Sequence, residues 1–369
     1  MSIIVGIPKE IISDEKRVAA TPYTIKKLIQ AGCQIHVEAG AGEASEISDQ
    51  DYQNSGASIA QNSESMYKNA QVILKVQAPT EKEADMIQNN ALIISHFMPH
   101  EHTDIIEKWI QKKVTSLSVE NIPRISKAQK MDVLSSQSNL AGYKSVLIGA
   151  NHLKKFFPLL MTAAGTISPA KVIILGVGVA GLQAIATAKR LGAIVEAADI
   201  RPVVKEQVES LGAKFIDVPN EESSEDDKGY AREASEEYLI RQKKEIIKRL
   251  SQCDVVITTA QIPGKKAPIL LTADMVDVMK SGSVIVDLAA SSGGNCELTQ
   301  KGENIDYKGI QIIGVGNIPS LMSTQASELY SKNVMELLLY FIHENQLDIQ
   351  LEDEIAASSL VTFEGKEIK

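Results

Sequence analysis

The sequence predicts an α/β protein of two domains with mostly parallel sheets, the first domain discontinuous. Three observations lead there. Short β-rich runs alternate with amphipathic helical patterns from end to end, the arrangement that builds parallel sheets with helices on their faces. The length, 369 residues with 44% apolar side chains, suits two domains of ordinary size. A long helical pattern, Ser327 to His343, follows the last strand of the second repeat and is expected to return to the first domain. The expected division is 1–139 plus 320–369 for the first domain and 140–319 for the second.

The elements follow in order. Ile3 to Gly6 reads as a strand, Pro22 to Ala31 as a helix closed by Gly32, and Gln34 to Glu38 as the next strand. Val72 to Val76, Ala91 to His96 and Val114 to Val119 repeat the strand pattern. Gly40-Ala41-Gly42 lies in this first repeat, but Ser45 takes the place of a third glycine and no acid ends the next strand, so the segment is expected to be only a turn. In the second repeat, strands are expected at Lys214–Val218, Val255–Thr259, Val284–Leu288 and Gln311–Gly314.

Residues 171–201, KVIILGVGVAGLQAIATAKRLGAIVEAADIR, carry the chemistry. A β-branched run ends in Gly176-Val177-Gly178-Val179-Ala180-Gly181, an Ala-rich helix follows to Gly192, and a second strand, Ala193 to Ala198, ends at Asp199. Strand, glycine turn, helix, strand and terminal acid is the order of a Rossmann-like dinucleotide site. Gly176 permits the tight turn, Gly178 lets backbone N–H groups approach a pyrophosphate at the helix N-terminus, and Gly181 lets helix and strand pack closely. Asp199 is placed to accept from ribose hydroxyls and to repel a 2′-phosphate, which predicts NAD(H) rather than NADP(H).

Composition excludes other classes. The net charge of −9 and the absence of a basic stripe argue against nucleic-acid binding. Val172 to Ala188 is uncharged, but it is too short for a membrane span and carries the fingerprint glycines. Met1-Ser2 runs directly into IIVGIP with no basic leader, so no signal peptide and no direct membrane insertion are expected. Cys33, Cys253 and Cys296 are far apart with no CxxC, which reads as reduced thiols and no metal site.

Two further segments stand out. Pro219 to Glu237 is acidic and longer than most connections; it reads either as a solvated surface loop or as a mobile loop, with Tyr230 beside Gly229, that covers a bound nucleotide. Residues 124–143, RISKAQKMDVLSSQSNLAGY, crowd Arg124, Gln129, Asp132, Ser135 and Asn139 just before the expected domain junction. Gln and Ser suit a carboxamide, with Asp and Arg to hold them; equally, the block reads as a serine-capped helix start at a hinge.

Over nearly its whole length the chain resembles the NAD(H)-binding domain I of proton-translocating NAD(P) transhydrogenases, a family within a superfamily that includes alanine dehydrogenase. The resemblance rests on GIPKE at Gly6–Glu10, RVAATP at Arg17–Pro22, VEAGAGE at Val37–Glu43, LKVQAP at Leu74–Pro79, the RISKAQ…LAGY block, MTAAGTISPAKV at Met161–Val172, the glycine segment, IPGKKAP at Ile262–Pro268 and GGNC at Gly293–Cys296.

The resemblance implies the NAD(H)-binding component of a transhydrogenase of the Si-specific/Re-specific type. Its reaction would be reversible hydride transfer between NADH and NADP+, coupled to proton movement. Implied partners are an NADP(H)-binding subunit and membrane-spanning subunits, with this chain a homodimer, cytoplasmic and peripheral on the inner membrane. By motif match, Arg124, Gln129, Asp132 and Ser135 would orient the nicotinamide. Gly176, Gly178, Val179, Ala180, Gly181, Asp199, Ile200, Arg201, Tyr230, Ser135, Asn139 and Ala260 would contact NAD(H).

Two alternatives are an alanine dehydrogenase-like oxidoreductase and a non-catalytic NAD(H) sensor. Alanine dehydrogenases hold substrate with an arginine, a lysine, a histidine and an aspartate. Arg17, Lys75 and His96 match the first three, but the aspartate expected near Ser291 is absent. The intact Arg-Gln-Asp-Ser group argues against a sensor. Ser291-Ser292 and Gln261 depart from the transhydrogenase pattern.

Overall fold

The structure is a computed structural model that describes residues 2–217, 236–262 and 264–368. It is α/β with mostly parallel sheets, and the chain divides into two units, Met1–Gln137 with Ser320–Lys369, and Ser138–Pro319. The division falls inside one helix, Val133–His152.

The first unit holds an eight-stranded sheet. From one edge its order is Lys366–Glu367, Leu360–Phe363, Thr115–Ser118, Leu92–Ser95, Val72–Leu74, Ile4–Ile7, Gln34–Glu38 and Ser58–Ala60. The last six are parallel, and the two C-terminal strands add antiparallel at the edge. The central strands are apolar and buried throughout, as a sheet covered on both faces requires. Helix Pro22–Gln30 starts at Thr21, whose backbone N–H donates to Thr24 Oγ1 at 2.9 Å, and ends before Gly32 at φ +88°. Helix Ser323–Tyr340 buries Tyr330, Val334, Leu337 and Leu338 in the same core as Val5, Ile35 and Leu74, so the late helix does return to the first unit. Gly40 and Gly42 form only a turn. A side chain on Gly42 would meet Ile47 O and the Tyr52 ring at 2.7 Å, and a three-residue 3₁₀ turn follows.

The second unit is a seven-stranded sheet in the order Lys214–Phe215, Ile194–Ala198, Lys171–Leu175, Val255–Thr258, Val284–Asp287, Ile310–Ile313 and Asn304–Tyr307, parallel except for the last strand. Strand order reverses beside Lys171–Leu175, where the chain first moves outward to Ile194–Ala198 and later crosses to Val255–Thr258. Ligands of open parallel sheets bind at the carboxyl ends of strands at such a point. Among the described residues no helix is long and apolar enough to cross a membrane.

Candidate functional site

Strand Lys171–Leu175 delivers the chain into the glycine turn at the reversal point. The three glycines answer three different demands. Gly176 has φ +94°, and a Cβ there would meet Thr259 Oγ1 at 2.8 Å and Ala260 N at 3.1 Å. Gly181, in the first turn of helix Val179–Arg190, has Gly176 O at 2.1 Å from its Cβ position, so no side chain fits. Gly178 is the opposite case. It caps the helix at φ −82°, and nothing lies within 4 Å of its Cβ position. The helix N-terminus therefore faces open space, with no side-chain cap and no acid in its first turn. Such an end presents unpaired N–H groups and a positive dipole, which suits a pyrophosphate.

Asp199 closes the turn from the neighbouring strand. It is 9% exposed. Its Oδ2 accepts the Val177 N–H at 2.7 Å and its Oδ1 accepts the Arg201 N–H at 2.9 Å. The Arg201 guanidinium folds back on it, with Nε 3.0 Å from Oδ1 and Nη2 3.1 Å from Oδ2, and Nη2 also donates to Val177 O at 3.2 Å. Gln242, from helix Glu236–Leu250, donates to the Asp199 carbonyl at 3.1 Å. Ile200 is half-buried between the two paired residues. An open cradle at Gly178, an uncapped helix start and a carboxylate at the end of the next strand fit a dinucleotide.

Two residues that carry no recognisable mark in the sequence organise the floor of this site. Asn295 is fully buried; its Oδ1 accepts the Ala260 N–H at 3.0 Å, and its Nδ2 donates to the Ala260 and Pro268 carbonyls at 2.8 Å each. Asp287, also fully buried, accepts from Thr258 Oγ1, Thr299 Oγ1 and the N–H groups of Ala289, Asn295 and Cys296. Thr259 Oγ1 in turn donates to Gly176 O at 2.9 Å, so the turn and the loop after Val255–Thr258 are tied together. The nearest thing to a signal is an acid ending the strand Val284–Asp287, the same feature that marks Asp199. Gln261 donates to Leu288 O at 2.9 Å, which gives this departure from the family pattern a structural role.

The polar block lies at a helix start. Asp132 precedes helix Val133–His152, and its two oxygens accept the Ser135 N–H at 2.8 Å and the Ser135 hydroxyl at 2.5 Å. This is an N-cap bond, so both readings of the block describe the same residues. Arg124 and Gln129 are exposed, Gln129 within the 3₁₀ segment Ser126–Met131. These four residues belong to the first unit, whereas exposed Asn139 and the glycine turn belong to the second. Tyr230 and nearly all of 219–237 lie outside the described residues.

The cations that match an amino-acid site are already paired. Lys75, 1% exposed, lies 3.1 Å from Glu10 and 2.9 Å from Glu83. Arg17 is held by both oxygens of Glu15, at 2.8 and 2.7 Å, and donates to Gln137 Oε1 at 2.9 Å. Burial pushes the Glu10 carboxyl above its ordinary value, Lys75 and the Val76 N–H offsetting only some of the rise. His96 is half-buried, and Ser291 is exposed.

Comparison with known proteins agrees with this geometry. Two family profiles cover the chain: Alanine dehydrogenase/PNT, N-terminal domain, over residues 6–141, and Alanine dehydrogenase/PNT, C-terminal domain, over 145–369. The first of the separately encoded pieces of the NAD(P) transhydrogenase alpha subunit of Rhodospirillum rubrum is 45% identical over 370 residues, covering 98% of this chain and 96% of the relative. A crystal structure of transhydrogenase from Sinorhizobium meliloti superposes with a TM-score of 0.91 at 41% identity, covering 99% of both chains. An alanine dehydrogenase from Methanococcus maripaludis is 26% identical, covering 99% of this chain and 94% of the relative. With both family profiles matched and the glycine turn, its terminal acid and the two-unit α/β fold all in place, the chain belongs to the alanine dehydrogenase/PNT family and is more similar to these transhydrogenases than to that alanine dehydrogenase.

Proposed function

We propose that this chain is the NAD(H)-binding component of an NAD(P) transhydrogenase. The observation that carries the reading is the glycine turn, with the space beside Gly178 open and Asp199 bonded to the turn itself. The helix N-terminus at Val179 and Ala180 would bind the pyrophosphate through N–H groups, and Asp199 would fix the adenosine ribose. Ala260, held on both its N–H and C=O by Asn295, would present its backbone to the nicotinamide half. Asp132 orients the Ser135 hydroxyl, and Gln129 and Arg124 would hold the carboxamide, so that these side chains fix the ring's direction rather than exchange protons. The bound nicotinamide would supply the hydride chemistry. This chain would contribute alignment and exclusion of water, each able to change a rate strongly without any acid or base.

The names of the relatives support a place in a larger assembly. The partners in this reading are an NADP(H)-binding subunit and membrane-spanning subunits that conduct protons, with this chain a homodimer held at the inner membrane through them. The test mixes the purified chain with an NADP(H)-binding transhydrogenase domain and follows hydride transfer from NADH to NADP+. Transfer only when both proteins are present supports the reading, and its absence despite NADH binding overturns it. Equilibrium titration gives a second check, because NADPH binding tighter than NADH would remove Asp199 as the selecting residue.

A further inference from the structure

We propose that the Arg201 guanidinium is a built-in stand-in for a ribose diol, which an entering nucleotide displaces from Asp199. The proposal rests on the reading of this turn as an NAD(H) site. A carboxylate offers about four acceptor positions, two on each oxygen. In Asp199 each oxygen spends one position on a backbone N–H, Oδ2 on Val177 and Oδ1 on Arg201. Those donors are fixed by the turn and by the strand end. The one remaining position on each oxygen is filled by the guanidinium, through Nε at 3.0 Å and Nη2 at 3.1 Å. The fork thus leaves no acceptor position for a ligand while it stays in place. What it occupies, one site on each oxygen side by side, is the pattern that two adjacent ribose hydroxyls would use.

The pair is also built to open. The Asp199 side chain is 7% exposed but that of Arg201 is 16%, so the guanidinium sits on the solvent side of the carboxylate. Its release leaves the two backbone bonds intact, and Asp199 stays oriented for the diol. The exchange swaps charge-assisted bonds for neutral ones, so Arg201 competes with the ligand and lowers its affinity. It also keeps the carboxylate compensated until a diol arrives, which spares the turn an unpaired buried charge.

The test uses the full chain and Arg201→Lys. Lysine keeps the positive charge, so attraction for the pyrophosphate is unchanged, but a single ammonium cannot span both oxygens in the same fork. Wild type and variant are titrated with NADH, ADP and 2′-deoxy-ADP. The expected result is NADH and ADP binding about two- to fivefold tighter to R201K, the range set by a partly exposed ion pair. Binding of 2′-deoxy-ADP, which has no diol, stays the same. Weaker or equal NADH binding by R201K overturns the proposal, as does an equal shift for ADP and 2′-deoxy-ADP. If neither protein binds NADH, the nucleotide reading itself falls and takes the proposal with it. Wild-type protein gives a measurement independent of the variant's folding: the Arg201 Nε–H resonance should move on addition of NADH, and an unmoved resonance at saturation also overturns the displacement.

Discussion

The Glu15 carboxylate grips the Arg17 guanidinium with both oxygens, Nε to Oε1 at 2.8 Å and Nη2 to Oε2 at 2.7 Å, in a site from which the Glu15 side chain has no exposure. Burial alone would raise the Glu15 carboxyl, but the Arg17 bonds and charge, helped by Gln77, outweigh it and hold the pKa at about 2, against an ordinary 4.5. A depressed carboxyl stabilises the fold above its unfolded value and loses that contribution as pH falls. Glu15 should therefore contribute about 3 kcal/mol, fully present above pH 4.5 and gone near pH 2. Glu15→Gln, which leaves Arg17 buried without its partner, should cost about 3–5 kcal/mol at neutral pH. Urea melts of both proteins from pH 7 down to 3 check this. A gap that stays constant down the series would show that the pair is not the cause.

Gly178 and Gly181 should fail in different ways when each becomes alanine. The Gly178 Cβ position is empty and its φ of −82° suits any residue, so Gly178→Ala should keep the wild-type melting temperature while weakening NADH at least tenfold. A Cβ on Gly181 would lie 2.1 Å from Gly176 O, so Gly181→Ala should lower the melting temperature by several degrees. Thermal scans beside NADH titration separate the two. Tight NADH binding by G178A would mean that the open space is not the pyrophosphate cradle.

Shortening Gln129 to asparagine should slow hydride transfer while leaving NADH affinity nearly unchanged. The residue is exposed at the end of the first unit's polar block, whereas the pyrophosphate and ribose groups are held by the second unit. A shift of about 1 Å in a group that aligns the ring can cost about a hundredfold in rate. Single-turnover transfer to an NADP+-loaded partner domain, with titration alongside, is the measurement. Wild-type values for both would make Gln129 an ordinary surface residue.

L-Alanine should not reduce NAD+ in the presence of this protein. Lys75 is shared between Glu10 and Glu83, Arg17 is held by Glu15, and Ser291 stands where a substrate aspartate is expected. Binding an amino acid here would mean breaking buried pairs with no new partner for the ammonium group. Assay at mildly alkaline pH decides it, and sustained alanine-dependent NADH formation would reverse the assignment.

The glycine segment was legible because each residue is forced locally. A positive φ at Gly176, a contact of 2.1 Å at Gly181 and an acid ending the next strand all leave their mark in the residue type. The buried parallel strands were legible for a similar reason, since a strand covered on both faces must be apolar throughout. The edges were not. Ser58–Ala60, Asn304–Tyr307 and the hairpin Leu160–Thr162 with Gly165–Ile167 are short and partly exposed, and such strands are defined by their partners rather than by pattern. Asn295 stayed hidden because its importance lies in what it touches: one side chain bonds the peptides of Ala260 and Pro268, 35 and 27 positions away. The Arg201 fork was invisible for the same reason, because the sequence shows an arginine two residues after Asp199 but not that it turns back.

Strand Leu360–Phe363 seals the edge of the first sheet against Thr115–Ser118, with Ser116 and Thr362 bonded across 246 positions. On the ribosome this edge must wait. At about 5–20 residues per second, roughly 10–50 s pass between the emergence of Ser116 and that of Thr362. Throughout that time the first unit lacks its covering strand and, for most of it, the helix Ser323–Tyr340, while the second unit, continuous from Ser138 to Pro319, is complete well before the end. The second unit can therefore finish folding first, and the nascent N-terminal half carries an open, apolar sheet edge that chaperones would have to guard until the C-terminal segment arrives.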